Sequence, residues 1–441
     1  MPFLSAELDF RLSAELIVPS IVEVKSDQLG ELQSVLLGRG VPVRSASHFE
    51  AIDRAFIGTL LNRDAVDSLA TDPAFIGFHY DRPIKIAQFP LMNRLVSRVN
   101  GGISSIPVIA RTAGPYKRPE GVLTTAEVRK MLGAEQADAD NIDGNGVKVA
   151  VVDTGFEATR QLKYREVSTF SAKAEQAGEA DTSGHSTWCA NTIAGPRVEL
   201  NEDAVIHGIA TGVSLATVRV LYTPLGAGTN SDVLEGMRIA LETFGADIIS
   251  MSLGSEAPTP PGDPSADIIR EYTARGHIFC VAAGNSGQKG QKTINSPGDV
   301  EEALTVGSIS AHDSSETTLK RSFYSSIGPT SDGRNKPDVV GFGGGRATKS
   351  DKPSESILSS STGLIDALDK VPNKLAAIMG TSMATPEIAA VCALGRQLVA
   401  RERNEMLTTD TIKALLKKRG NRSVETGWGL LTYSDLRGLV T

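Results

Sequence analysis

The sequence predicts an α/β protein: a doubly wound, mostly parallel sheet, preceded by a small α+β unit with the element order of a ferredoxin-like domain. Three observations carry this. Short apolar runs near Val149, Leu215, Ile248, Ile278 and Leu304 read as buried strands. Helical segments near Ser186, Ser231, Ala266 and Ser382 alternate with them, which is the pattern of a parallel sheet. Upstream, the order strand, helix, strand, strand, helix, strand is the split βαβ arrangement.

The N-terminal unit comes first. Ile21–Lys25 alternates as a strand does. Ser26 and Asp27 can cap a helix with Leu29, Leu32, Val35 and Leu36 on one face, ending at Gly38. Val41–Ser45 and Ala55–Leu61 read as two more strands. Asp64 can cap a second helix bearing Val66, Leu69 and Ala70, and Phe75–Ile86 contains a last strand. Ser97–Gly121, rich in Gly, Pro, Ser and basic residues, reads as a linker. The expected division is 1–95, a linker over 96–121, and a main body over 122–441.

Composition narrows the function. The 441 residues allow about three domains, and 40% hydrophobic residues with 43 glycines suit a globular α/β enzyme. A net charge of −7 leaves no nucleic-acid footprint. No apolar run approaches the roughly 20 residues of a membrane span. Met1–Phe10 carries Glu7 and Asp9 before any basic residue, unlike a secretion signal. The expectation is a cytoplasmic protein without nucleic-acid or membrane partners. Cys189, Cys280 and Cys392 each lie inside an apolar segment, so they read as reduced, buried thiols.

Four segments carry chemistry. Val147–Gly155 is a Val-rich strand that delivers Asp153 at its carboxyl end, where open α/β sheets place their sites. Ser183–Gly195 opens a helical segment with His185 after a Ser-Gly turn. Gly276–Gly287 is a buried strand that breaks into a turn carrying Asn285, whose amide can donate to a developing oxyanion. Gly380–Pro386 lifts Ser382 to the start of a helix running to Ala400. Pro386 falls in its first turn, where a missing N–H costs little. A serine there sits beside free backbone N–H groups in a positive field, which suits a nucleophile whose attack creates an oxyanion.

With these motifs, Val-Val-Asp153-Thr-Gly, Gly-His185-Ser-Thr, Ala-Ala-Gly-Asn285 and Gly-Thr-Ser382-Met-Ala-Thr-Pro, the chain resembles a subtilisin-like serine protease (subtilase) from about Val122 to Tyr433. The resemblance implies a subtilisin-like sheet and a serine endopeptidase acting on polypeptides. Ser382 would be the nucleophile, His185 the general base and then acid, and Asp153 the orienter of the imidazole. Asn285 would complete the oxyanion hole with the Ser382 N–H; in subtilisin, losing one such donor costs about 10²–10³ in kcat. The resemblance also implies that Ser252, Leu253 and Gly254 pair with the substrate backbone. Ala282, Ala283 and Gly284 would form the opposite wall. Two positions depart from the family: Ser186 and Asn191 stand where Gly is usual. Ser186 implies ordinary backbone there. Glu387, near Ser382, reads as an exposed helix residue.

The N-terminal unit resembles, by element order, the inhibitory propeptide that precedes many subtilase domains. It would make the chain a self-inhibited zymogen, cut somewhere after Tyr80 and before about Thr125, with Pro83–Pro90 lying along Ser252–Gly254. No cofactor is expected. Many subtilases bind calcium, but Asn201, Glu202 and Asp203 fall short of the six to eight ligands it takes and read as a solvated turn. Lys336–Asn373 reads as a long Ser/Gly-rich surface stretch. Its Gly343–Gly345 lacks the Gly-Lys-Ser/Thr of a phosphate loop. The rival functions are a catalytically silent binding protein and an acyl-transferring peptide ligase.

Overall fold

The structure, a computed structural model, describes residues 2–15, 17–86, 118, 120–159, 161–162, 166–176, 180–310, 320–345, 356–367, 374–420 and 422–441. In the N-terminal unit these residues form β1 (Phe3–Leu4), α1 (Ala6–Ala14), β2 (Val18–Val24), α2 (Leu29–Gly38), β3 (Val43–Phe49), β4 (Arg54–Leu61), α3 (Arg63–Leu69) and β5 (Phe75–Tyr80). The sheet order is β1-β5-β2-β4-β3, with β2 antiparallel to both β4 and β5. Leu8 and Leu12 of α1, with Leu32 and Leu36 of α2, lie on single helix faces and bury into one core with Val22, Ile57 and Phe78.

Local details differ from the sequence reading. The N-terminal β1 and α1 add to the expected pattern. Ser26 and Asp27 make no side-chain cap and sit in a short 3₁₀ turn. The second helix is capped by Asn62, whose Oδ1 accepts the Ala65 N–H at 2.8 Å, which leaves Asp64 in the first turn. The predicted last strand splits at Asp81–Arg82. Beyond that break β6 (Pro83–Ile86) leaves the unit and joins the main body. Most of the predicted linker, and Ala87–Pro90, lie outside the described residues.

The main body is built on β7 (Lys148–Asp153), β8 (Ser168–Ser171), α4 (His185–Ala194), β9 (Ser214–Arg219), β10 (Ala227–Thr229), α5 (Asn230–Arg238), β11 (Ile248–Met251), β12 (Leu253–Gly254), α6 (Pro264–Ala274), β13 (Ile278–Ala282), β14 (Leu304–Ile309), β15 (Val339–Phe342), α7 (Thr381–Arg403) and α8 (Thr409–Lys417). Seven strands form one sheet in the order β15-β14-β13-β11-β7-β9-β8, and every pairing is parallel. Both faces are covered by helices, which is why its inner strands read as continuous apolar runs. The strand order reverses between β7 and β11, so a crevice opens at their carboxyl ends. Asp153 stands there.

The stretch from Lys336 is not all surface. Burial of Val339–Phe342 as β15 carries Lys336 and Asp338 inside, where the Lys336 ammonium bonds Asp338 Oδ2 at 2.7 Å and Ala303 O at 2.8 Å. Burial lowers the Lys336 pKa to about 8. Ile357–Ser360 is also a buried strand. Residues 346–355 and 368–373 lie outside the described residues.

Candidate active site

Asp153 ends β7 fully buried, and its Oδ1 accepts the Thr154 N–H at 2.7 Å. Both its carboxylate oxygens lie 2.8 Å from Nδ1 of His185. Burial pushes the Asp153 carboxyl up, and the neighbouring imidazole opposes that shift. A carboxylate on Nδ1 holds the proton on that nitrogen, so a neutral ring offers Nε2 as its acceptor.

The turn before α4 is specified atom by atom. Gly184 has φ +86°, and a Cβ there would stand 1.9 Å from the Thr362 carbonyl oxygen, so only glycine fits. Asp181 clamps this turn: Oδ1 accepts the N–H groups of Ser183 and Gly184, and Oδ2 accepts the N–H and hydroxyl of Thr187. Ser186 is ordinary helix, as its side chain implies, and its N–H donates to Thr154 Oγ1 at 3.0 Å. Asn191 uses its extra atoms: Oδ1 accepts from Thr159 at 2.9 Å and Nδ2 donates to the Thr187 carbonyl at 2.8 Å.

Ser382 is the second residue of α7, and its Oγ donates to the Ser252 carbonyl at 3.2 Å. Pro386 lies deeper in the helix than the sequence reading put it. Its missing N–H is the one that would have bonded the Ser382 carbonyl. That carbonyl is taken instead by Ser252 Oγ at 2.9 Å and the Cys189 thiol at 3.6 Å. The proline thus ties the helix that begins at Thr381 to α4 and to the end of β11. Burial pushes the Cys189 thiol well above its usual range, so it stays a neutral donor here. Asn285 Oδ1 accepts both the N–H (2.9 Å) and the hydroxyl (3.0 Å) of Thr381, which turns its NH₂ the other way. A Cβ on Gly380 would crowd that NH₂ at 3.2 Å.

These residues fall within residues 144–429, which match the model of the subtilase family. The chain belongs to that family. It is 34% identical to serine protease AprX of Bacillus subtilis (strain 168) over 64% of the chain and 62% of that relative. It is 31% identical to pyrolysin of Pyrococcus furiosus over 58% of the chain but only 22% of that protein. It is 32% identical to an intracellular serine protease of Paenibacillus polymyxa over 67% of the chain and 82% of that protein. The chain therefore spans less than two thirds of the first two relatives.

In this subtilase the other assigned residues gather around the same crevice. Ser252 follows β11 and precedes β12, while Ala282 ends β13 and Ala283 and Gly284 follow it; β11 and β13 pair in parallel, so the two segments leave the sheet side by side. Thr381 Oγ1 also receives the Gly284 N–H at 3.2 Å. Glu387 is not exposed. It is fully buried, its Oε2 accepts the Phe342 N–H at 2.7 Å, and burial pushes its carboxyl well above the usual range. Asn201–Asp203 is a hairpin turn in which Asn201 Oδ1 is occupied by the Asp203 N–H. That turn does not fit a calcium site, and no catalytic step is derived through calcium.

Asp181, Thr381 and Cys189 were not assigned roles from the sequence. Asp181 had a signal: an acid ahead of Thr-Ser-Gly-His is a helix-start pattern.

Proposed function

We propose that this subtilase is a serine endopeptidase working through Ser382, His185 and Asp153. The supporting observation is the buried Asp153–His185 pair at 2.8 Å, tied through Cys189 of the same helix to the turn that holds Ser382. Ser382 Oγ would attack a peptide carbonyl while His185 Nε2 takes its proton. The Ser382 N–H and the Asn285 NH₂ would receive the oxyanion. On collapse, the proton passes from His185 to the departing amine. Water, deprotonated by His185, then releases the acyl group. No cofactor enters these steps, and no observation of its own favours the silent or acyl-transferring alternatives. The test is product analysis on a peptide substrate with an added amine: hydrolysis products support the reading, and amide products alone point to a ligase. No helix among the described residues is long and apolar enough to cross a membrane. A cytoplasmic setting is part of the proposal, supported by the likeness to the intracellular serine protease of Paenibacillus polymyxa.

The N-terminal unit reads as an inhibitor made with the enzyme. Its β6 is the middle strand between β10 and β12, antiparallel to both, with Lys85 opposite Gly254 and Ile86 opposite Leu253. The register runs toward Ser252 and hence toward Ser382. Just before it, Asp81 accepts the N–H and hydroxyl of Ser231 at the start of α5 (2.9 and 2.8 Å). Arg82 makes a buried ion pair with Asp263, the N-cap of α6. Ile21, Phe49 and Phe56 belong to the main body's core cluster, and Phe49 meets Tyr272 at 6.2 Å. A tethered strand works at around millimolar effective concentration, so modest affinity suffices. Fragment Met1–Asn100 added in excess to processed enzyme is expected to suppress peptide hydrolysis. If hydrolysis continues unchanged, the unit is a docking domain instead.

Docking should also depend on pH. Burial raises the Asp81 pKa to about 6, against the two Ser231 bonds and Arg44 that lower it, and with Asp232 adding to the rise. The docked state therefore keeps a proton that a solvated aspartate loses near pH 4. Docking is strongest below about pH 4, weakens as pH rises toward 6, and levels off above it, by up to about a hundredfold. The measurement is Kd of the fragment at pH 4.5 and 7. Asp81→Asn should flatten the profile; an unchanged slope would show that another group controls it.

A further inference from the structure

We infer that the cleft leading to Ser382 selects an extended segment of the pattern aliphatic–basic–aliphatic, with Gly226 choosing the second aliphatic residue and Glu256 the basic one. The inference rests on the protease reading above and adds a substrate class to it.

The chain's own β6 is the guide. Ile84 and Ile86 are buried and Lys85 between them is exposed. Main-chain bonds, such as Ile86 N–H to the Gly226 carbonyl at 2.9 Å, would hold any sequence. The choice falls to the walls. A Cβ on Gly226 would stand 2.6 Å from Ile86 Cγ2, 2.9 Å from Cγ1 and 3.0 Å from Cδ1. The whole branched side chain therefore occupies space that only glycine leaves free. Glu256 is held by Lys289 Nζ at 2.6 Å and Ser286 Oγ at 2.7 Å. Lys85 pairs with Gly254, two residues before Glu256, which brings its charge toward this carboxylate. Lys289 and Ser286, with Lys85 adding its charge, keep the Glu256 carboxyl below its usual range. Glu256 and Lys289 are both exposed, so the pull on a basic substrate residue is screened and worth a few-fold.

The test uses the full chain and an acetylated peptide of the sequence of residues 83–90, with cleavage read by mass spectrometry. Two peptide variants carry alanine for the isoleucine corresponding to Ile86, or glutamate for the lysine corresponding to Lys85. Occupancy of the cleft by the chain's own strand lowers all rates by one factor, so rate ratios remain clean. Wild type should prefer isoleucine over alanine by about tenfold or more. Gly226→Ala should bring that ratio to one or below. Gly226 has φ +65°, so this variant is strained, but a ratio on one enzyme cancels lost folded protein. Glu256→Lys should reverse the lysine-over-glutamate preference by a few-fold at low salt and not at 1 M salt. Should the wild-type strand never vacate the cleft, the same ratios are read with Ile86→Asp in the background, which should itself raise hydrolysis. Unchanged ratios in both wall variants overturn the inference while leaving the protease standing. A chain that cuts no peptide and takes no fluorophosphonate label overturns the protease reading itself.

Discussion

Ser382→Ala is expected to abolish fluorophosphonate labelling and to lower kcat on the order of 10⁶-fold, the scale that subtilisin gives for removing this group. The argument is local. Ser382 lies in the first turn of a helix, so its attack places charge in the positive field of the helix start, beside its own N–H, rather than in apolar core. Its carbonyl is fixed from two sides by Ser252 and Cys189, so the Oγ has few places to go. The substitution should leave the fold intact. The side chain makes one hydrogen bond, to the Ser252 carbonyl, worth about 1 kcal/mol, and alanine is the best helix former. The variant should therefore melt within a few degrees of wild type. The same variant separates self-cleavage from contamination. Wild-type chain should shorten with time, with the new N-terminus within a few residues after Ile86, and Ser382→Ala should stay at 46.6 kDa. Labelling that persists in the variant would falsify the assignment.

What the sequence disclosed follows from where the determinants are local. The parallel strands were legible because a strand buried on both faces leaves an uninterrupted apolar run, as in Lys148–Asp153 and Ile278–Ala282. The placement of Asp153, His185, Asn285 and Ser382 at the ends of elements was readable because each sits where an element meets a turn of small residues. Glu387 was misread because the fate of a helix carboxylate depends on what covers it, here the Phe342 backbone from a distant strand. Lys336 and Asp338 were misread for the same reason: neither residue alone suits an interior, and their pairing, with Arg422 on Asp338 and the Ala303 carbonyl on Lys336, forms only inside the fold. The break at Asp81–Arg82 was hidden because an extended alternation looks alike whether its partner strand is in its own unit or another. The family match strengthens the reading of function, yet the roles of individual atoms still rest on geometry.

Asn285 gives the second large effect, and its test must divide two jobs. Asn285→Ala is expected to lower kcat by about 10²–10³ with KM within a few-fold, the subtilisin scale for one lost oxyanion donor. A donor aimed at charge that exists only in the transition state acts on kcat and leaves ground-state binding alone. However, Asn285 Oδ1 also holds the Thr381 N–H and hydroxyl, next to the nucleophile. Alanine removes this anchor along with the donor, so a fall in kcat alone would not name the cause. Asn285→Asp keeps an acceptor for Thr381 and replaces the NH₂ with an oxygen that repels the developing oxyanion. If donation is what matters, the aspartate variant loses at least as much kcat as the alanine variant. If anchoring is what matters, aspartate restores most of it. Recovery in Asn285→Asp would move the oxyanion role off this side chain and onto the Ser382 N–H alone.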